Sequence, residues 1–98
     1  MQIQFSPSAL DDLRDLLDYY REQGVAETGQ RIANELIDAT ESLADYPQMG
    51  RIVPEFDTPS LRELIRDPYR IVYRLDADCI SVIRIWRNER LLLAVENE

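Results

Sequence analysis

The hydrophobic positions change period once along the chain, and the predicted elements divide at that change. Gln2 to Phe5 alternates polar and apolar, with Ile3 and Phe5 on one side, and predicts a short strand. Ser6-Pro7 stops it. A serine oxygen can accept a free N–H of a first helical turn, and proline suits the first helical position because its missing donor would be unpaired there anyway. Ala9, Leu10, Leu13, Leu16, Leu17 and Tyr20 then recur at three- and four-residue spacing, with Asp11, Asp12, Asp15, Asp18 and Glu22 on the other, solvated face. Gly24 ends this helix near Gln23. A second amphipathic run starts around Ala26 to Thr28, carries Ile32, Ala33, Leu36, Ile37, Thr40, Leu43 and Ala44 on one stripe, and reaches Tyr46-Pro47. So short a connection makes the two helices an antiparallel hairpin, packed in part by Tyr19 and Tyr20.

Pro47, Gly50, Pro54 and Pro59 mark the next dozen residues as a loop. Beyond it the period becomes two. Leu61 to Ile65 is a strand and Asp67-Pro68 a turn; Tyr69 to Leu75 sets Ile71, Tyr73 and Leu75 against Arg70, Val72 and Arg74. After Asp76-Ala77-Asp78, strict alternation from Cys79 to Trp86 sets Cys79, Ser81, Ile83 and Ile85 against Ile80, Val82, Arg84 and Trp86. Leu91 to Val95 fits either a last strand or a helical turn. The expectation is an α+β fold of order β-α-α-β-β-β, one domain over 1–98. Its N-terminal helical hairpin packs on one face of a small, mainly antiparallel sheet and leaves the other face partly open.

Composition sharpens this picture. The 98 residues hold eleven Arg, no Lys, no His and nineteen acids, a formal charge of −8. Without histidine, the common zinc sets, the Ser/His/Asp triad and the Cys/His dyad are excluded. The single cysteine, Cys79, excludes an internal disulfide and reads as a small buried residue. The acid pairs lack a third ligand, so neither metal nor cofactor is expected. No apolar run approaches the ~20 residues of a membrane span and the start is not a leader, so the expectation is a soluble, cytoplasmic protein without membrane contact. The charge is uneven: residues 1–50 hold three Arg against ten acids, residues 58–95 seven Arg against five. The total opposes phosphate-driven binding, and no sequence-specific nucleic-acid binding is expected.

The basic half supplies the candidate partner-binding residues: Arg62, Arg70, Arg74, Arg84, Trp86, Arg87 and Arg90. If the register places Arg70, Arg74 and Arg84 together, two readings are open. One is a solvated face whose guanidiniums pair with Glu63, Asp76 or Asp78; the other is an acceptor for acidic partners, since arginine forks bind carboxylates in bidentate fashion. Trp86 either fills the sheet end or anchors an interface, where Trp and Arg are enriched. Arg51 and Arg62 are placed to tie the long loop to the sheet through Glu55 or Glu63.

Taken in order, several segments resemble the ParE/RelE superfamily, the small toxins of bacterial toxin–antitoxin pairs. They are the opening strand with Ser6-Pro7-Ser8-Ala9, Leu43-Ala44-Asp45-Tyr46-Pro47, Met49-Gly50-Arg51, Leu61-Arg62-Glu63-Leu64, Pro68-Tyr69-Arg70-Ile71-Val72-Tyr73-Arg74 and Ile83 to Arg90. Their spacing matches the ParE branch best. The resemblance implies a growth-inhibiting, plasmid-stabilisation type of toxin neutralised by a cognate antitoxin, with DNA gyrase as the ParE-like target. It also implies an alternative, the RelE-like ribosome-dependent cleavage of messenger RNA, in which Arg70 and Arg90 match two catalytic arginines. A third is a non-toxic member that still binds an antitoxin. The ribonuclease branch carries lysines at or near Leu61 and Glu63 and a tyrosine near the C-terminus. Here no tyrosine follows Tyr73, and no Lys or His is present to move a proton. Arg87 stands where ParE-like chains often carry histidine. The missing lysines, histidine and late tyrosine favour binding over catalysis, whereas the Arg87 and Glu63 departures point to the non-toxic alternative.

Overall fold

The computed structural model describes residues 1–87; Arg90 and the apolar run 91–95 lie outside the described residues. Strand β1 (Gln2–Phe5) leads into α1 (Pro7–Glu22) and α2 (Ala26–Ser42), followed by β2 (Arg51–Ile52), β3 (Leu61–Arg66), β4 (Tyr69–Leu75) and β5 (Cys79–Arg87). The strands form one sheet in the order β1-β5-β4-β3-β2. β1 runs parallel to β5 and every other pairing is antiparallel. This is the expected α+β architecture with one addition: β2, two residues inside the predicted loop, where Arg51 pairs with Glu63 and Ile52 with Arg62. So short a strand leaves no period to detect.

Ser6 does two jobs at the first junction. Its Oγ accepts the Ala9 N–H at 3.0 Å, capping α1, and donates to the Ile83 carbonyl at 2.7 Å, which fixes the helix start against β5. At the other end, Gly24 takes φ +78°, a conformation that costs glycine little, and the chain turns into α2. The helices approach closely where α2 carries Gly29: a Cβ there would lie 2.7 Å from the Tyr20 Cβ.

The core lies between hairpin and sheet. Ala9, Leu16, Ala33, Leu36, Ala39 and Leu43 from the helices meet Leu64, Tyr69, Ile71, Tyr73, Ile80, Val82 and Ile85 from the strands. The helix stripe is rotated relative to the sequence expectation: Leu10 is exposed, whereas Asp12, one turn from both Ala9 and Leu16, is buried. In β5 strict alternation also fails. Val72 pairs with Arg84 and Tyr73 with Val82, so Ile83 is the extra residue of a β-bulge. The bulge reverses the phase, so Ile80, Val82 and Ile85 all join the core, whereas Ile85 was expected opposite the first two.

The loop between α2 and β3 is held by polar contacts. The Tyr73 hydroxyl donates to the Pro47 carbonyl and accepts the Gly50 N–H, both at 2.9 Å. Arg62 donates to the carbonyls of Gly50 at 3.0 Å and Pro59 at 3.2 Å.

Candidate partner-binding face

Since Leu64, Ile71, Tyr73 and Ile85 point to the helices, their strand neighbours Glu63, Ile65, Arg70, Val72, Arg84 and Trp86 face the other way. Among the described residues no helix covers that second face. It is organised by two buried carboxylates.

Glu63, near the middle of β3, has a fully buried side chain. One carboxylate oxygen accepts from Arg51 Nε at 2.6 Å across the β2–β3 pair, and the other from Arg70 Nη1 at 2.9 Å from β4. Arg70 is itself only 11% exposed, so this pair is largely withdrawn from water. A lone carboxylate so buried would be strongly disfavoured; two guanidiniums make it tenable. The loop was expected to be tied through Glu55 or Glu63; Arg51 uses Glu63, whereas Arg62 reaches backbone carbonyls instead of a carboxylate.

The second carboxylate is Asp12 of α1. β1 pairs with β5 only as far as Val82, so the strand edge beyond is open to the helix. Asp12 fills that gap: its Oδ2 accepts the Ile85 N–H at 2.8 Å, and its two oxygens take Arg84 Nε and Nη2 side-on, each at 2.9 Å. The hydrogen bond to Asp12 raises the already high pKa of Arg84. The same guanidinium lies over the Trp86 ring, 4.6 Å from its centroid, a cation–π contact. Asp12 was expected on a solvated helix face, and here it is corrected to a buried ligand of Arg84. The signal was its spacing, three after Ala9 and four before Leu16 on the buried stripe.

The sequence candidates are therefore divided by the fold. Arg70, Arg84 and Trp86 share the second face; Arg74 also points there, pairs with Asp76 and is half exposed. Arg62 points to the helix side and holds the loop. Arg87, in register with Tyr69, lies on the core side with its guanidinium 5.5 Å from the Tyr69 ring centroid. Burial, and a hydrogen bond with Tyr20, push the Tyr69 phenol up to about 12. Arg90 lies outside the described residues. Cys79 is half-buried at the start of β5, more accessible than expected. Neither Arg51 nor Asp12 was among the sequence candidates, and both belong to the charge pattern of this face.

Chemically, the face offers guanidiniums that already have carboxylate partners, an indole beneath one of them, and aliphatic surface from Ile65, which is exposed. No group of three or more potential metal ligands occurs among the described residues, and no helix among them is long and apolar enough to cross a membrane.

Known proteins share the fold. The chromosomal ParDE toxin–antitoxin system of P. aeruginosa contains a chain with a TM-score of 0.75 at 21% identity, the match covering 89% of this chain and 95% of that one. The RelBE2 toxin–antitoxin complex of Mycobacterium tuberculosis gives 0.66 at 18% identity, covering 89% and 96%. These likenesses speak to the fold. In sequence, Toxin RelE2 of Caulobacter vibrioides is 36% identical over 91 residues, 92% of this chain and 98% of its own length. The family model for the ParE toxin of the type II toxin–antitoxin system parDE matches residues 3–92. With nearly the whole chain matched and the helical hairpin, sheet order and short loop strand in place, the protein belongs to the ParE family of type II toxin–antitoxin toxins.

Proposed function

We propose that the protein is a growth-inhibiting toxin that acts by binding its target rather than by cutting RNA, and that its cognate antitoxin neutralises it on the second sheet face. The carrying observation is Glu63. A ribonuclease must present cations to a scissile phosphate, but Arg70, one of the two arginines that resemblance assigns to that task, is paired at 2.9 Å with a fully buried carboxylate. A phosphate would have to displace Glu63 or accept its repulsion. Without Lys and His, proton transfer would fall to arginine, which stays protonated, or to a carboxylate, which would repel the phosphate.

The antitoxin reading is supported by the two structural neighbours, both toxin–antitoxin systems. DNA gyrase is the target proposed on the ParE resemblance. The name of the Caulobacter relative favours the other reading, RelE-like cleavage of messenger RNA.

Induced expression tests the proposal. Growth stops, and co-expression of the protein encoded by the neighbouring reading frame restores it. DNA breaks and filamentous cells accompany the arrest if gyrase is the target. Normal growth with folded protein accumulating refutes the toxin reading.

A further inference from the structure

Asp12 is 8% exposed, comes from a helix, and reaches past the end of the β1–β5 pairing to a side chain on the opposite sheet face. Covering the free Ile85 N–H at 2.8 Å needs only one of its lone pairs, and a neutral side chain would suffice for that. The charge is used on Arg84. The side-on fork engages Nε and Nη2, each at 2.9 Å, and so sets the plane of the guanidinium. That plane places Cζ 4.6 Å from the centre of the Trp86 ring. A fork of this kind occupies two of the five guanidinium N–H donors and leaves three for a further acceptor. The Arg84 side chain is 34% exposed. The bulge at Ile83 puts Arg84 and Trp86 on the second face together.

We propose that Asp12 is the positioning residue of the partner face: it holds Arg84 over Trp86, so that a carboxylate-bearing segment of the antitoxin meets a preformed cation–indole anchor. This rests on the reading that the second sheet face receives the antitoxin. Without Asp12 the long Arg84 side chain samples many rotamers, and its ordering is deferred to the binding step, which weakens the complex and speeds its dissociation. An acidic side chain on the partner completes the arrangement, because Arg84 carries donors only and its one internal acid is already placed at the far edge of the guanidinium.

The test uses the full-length toxin, with the protein encoded by the neighbouring reading frame as probe. Asp12→Asn keeps an oxygen for the Ile85 N–H and removes the charge. Trp86 is the only tryptophan, so its near-ultraviolet circular dichroism and acrylamide quenching report the anchor directly. Asp12→Asn is expected to collapse the tryptophan band, raise quenching about twofold and weaken the complex about tenfold, mostly through dissociation. In an Arg84→Ala background the same change is expected to alter affinity less than twofold. Arg84→Lys, which leaves a counter-charge for Asp12 but cannot form the flat fork, reproduces the loss if Asp12→Asn fails to fold. An Asp12→Asn toxin with an unchanged tryptophan band and affinity overturns the proposal. So does an equal loss with and without Arg84, or wild-type behaviour of Arg84→Lys. If Arg84→Ala and Trp86→Ala both bind as wild type, it is the reading of the face that fails.

Discussion

Removing Arg70 while leaving Glu63 in place probes the organisation of the sheet face most sharply. In Arg70→Met the length and much of the apolar stem are kept, but the carboxylate, fully buried, retains Arg51 alone among the partners described for it. Breaking a buried pair by deleting one partner costs about 3–5 kcal/mol, because the remaining charge is stranded. The low end applies here, about 3 kcal/mol, since Arg51 still donates at 2.6 Å. Arg51→Ala costs less, about 1 kcal/mol, because its side chain is 54% exposed and water compensates. The double variant Glu63→Leu/Arg70→Met removes both charges and is expected within about 1 kcal/mol of wild type, as apolar replacement of buried ion pairs is often neutral. In a domain of this size each kcal/mol moves Tm by roughly 4–8 °C, so the single variant melts about 12–24 °C lower and the double one regains most of that. Urea titrations and thermal melts of the four proteins provide the assay. The reasoning is refuted if Arg70→Met costs no more than Arg51→Ala, or if the double variant is no better than the single.

Other consequences concern the loop and the alkaline range. Gly50→Ala places a Cβ 2.5 Å from the Tyr73 hydroxyl and 2.7 Å from the Glu63 carbonyl, so a loss of about 2 kcal/mol is expected in urea titration, with the strain falling on backbone that cannot swing aside. Tyr73→Phe deprives the Gly50 N–H and the Pro47 carbonyl of their partner and should cost about 1–3 kcal/mol, with faster amide exchange at Gly50. Tyr69 has a folded pKa of about 12 against 10 in the unfolded chain, so the folded state holds the proton more tightly. Its contribution is complete below pH 10 and is lost as pH rises toward 12, at roughly 1 kcal/mol per pH unit. Tyr73, also raised by burial, adds in the same direction. Stability measured against pH should decline above 10, and Tyr69→Phe should flatten that decline.

Period and punctuation carried most of the architecture. Ser6-Pro7, Gly24 and Asp67-Pro68 act locally, and their structural meaning does not depend on what packs nearby. The misreadings share a different cause. Ile83 looks like any alternating strand residue, and only the pairing with β4, where Val72 faces Arg84 and Tyr73 faces Val82, makes it a bulge. Asp12 lies on the buried stripe by spacing, yet an acid there is naturally assigned to solvent unless its partner, 72 residues away, is known. Arg62 and Arg70 both carry an arginine on a strand with the same alternation. Which one holds a loop and which grips a buried carboxylate depends on the layer each strand face meets. The candidate site was thus legible as a set of arginines, whereas the carboxylates that fix their directions emerge only from long-range packing.

Mapping transcript ends after induction, under conditions where growth has stopped, tests most directly whether this face binds rather than cuts. The account predicts arrest with no new codon-positioned ends, and arrest that is relieved by the antitoxin. Cleavage at ribosome-positioned sites, abolished by Arg70→Ala in a toxin that still folds, would contradict it.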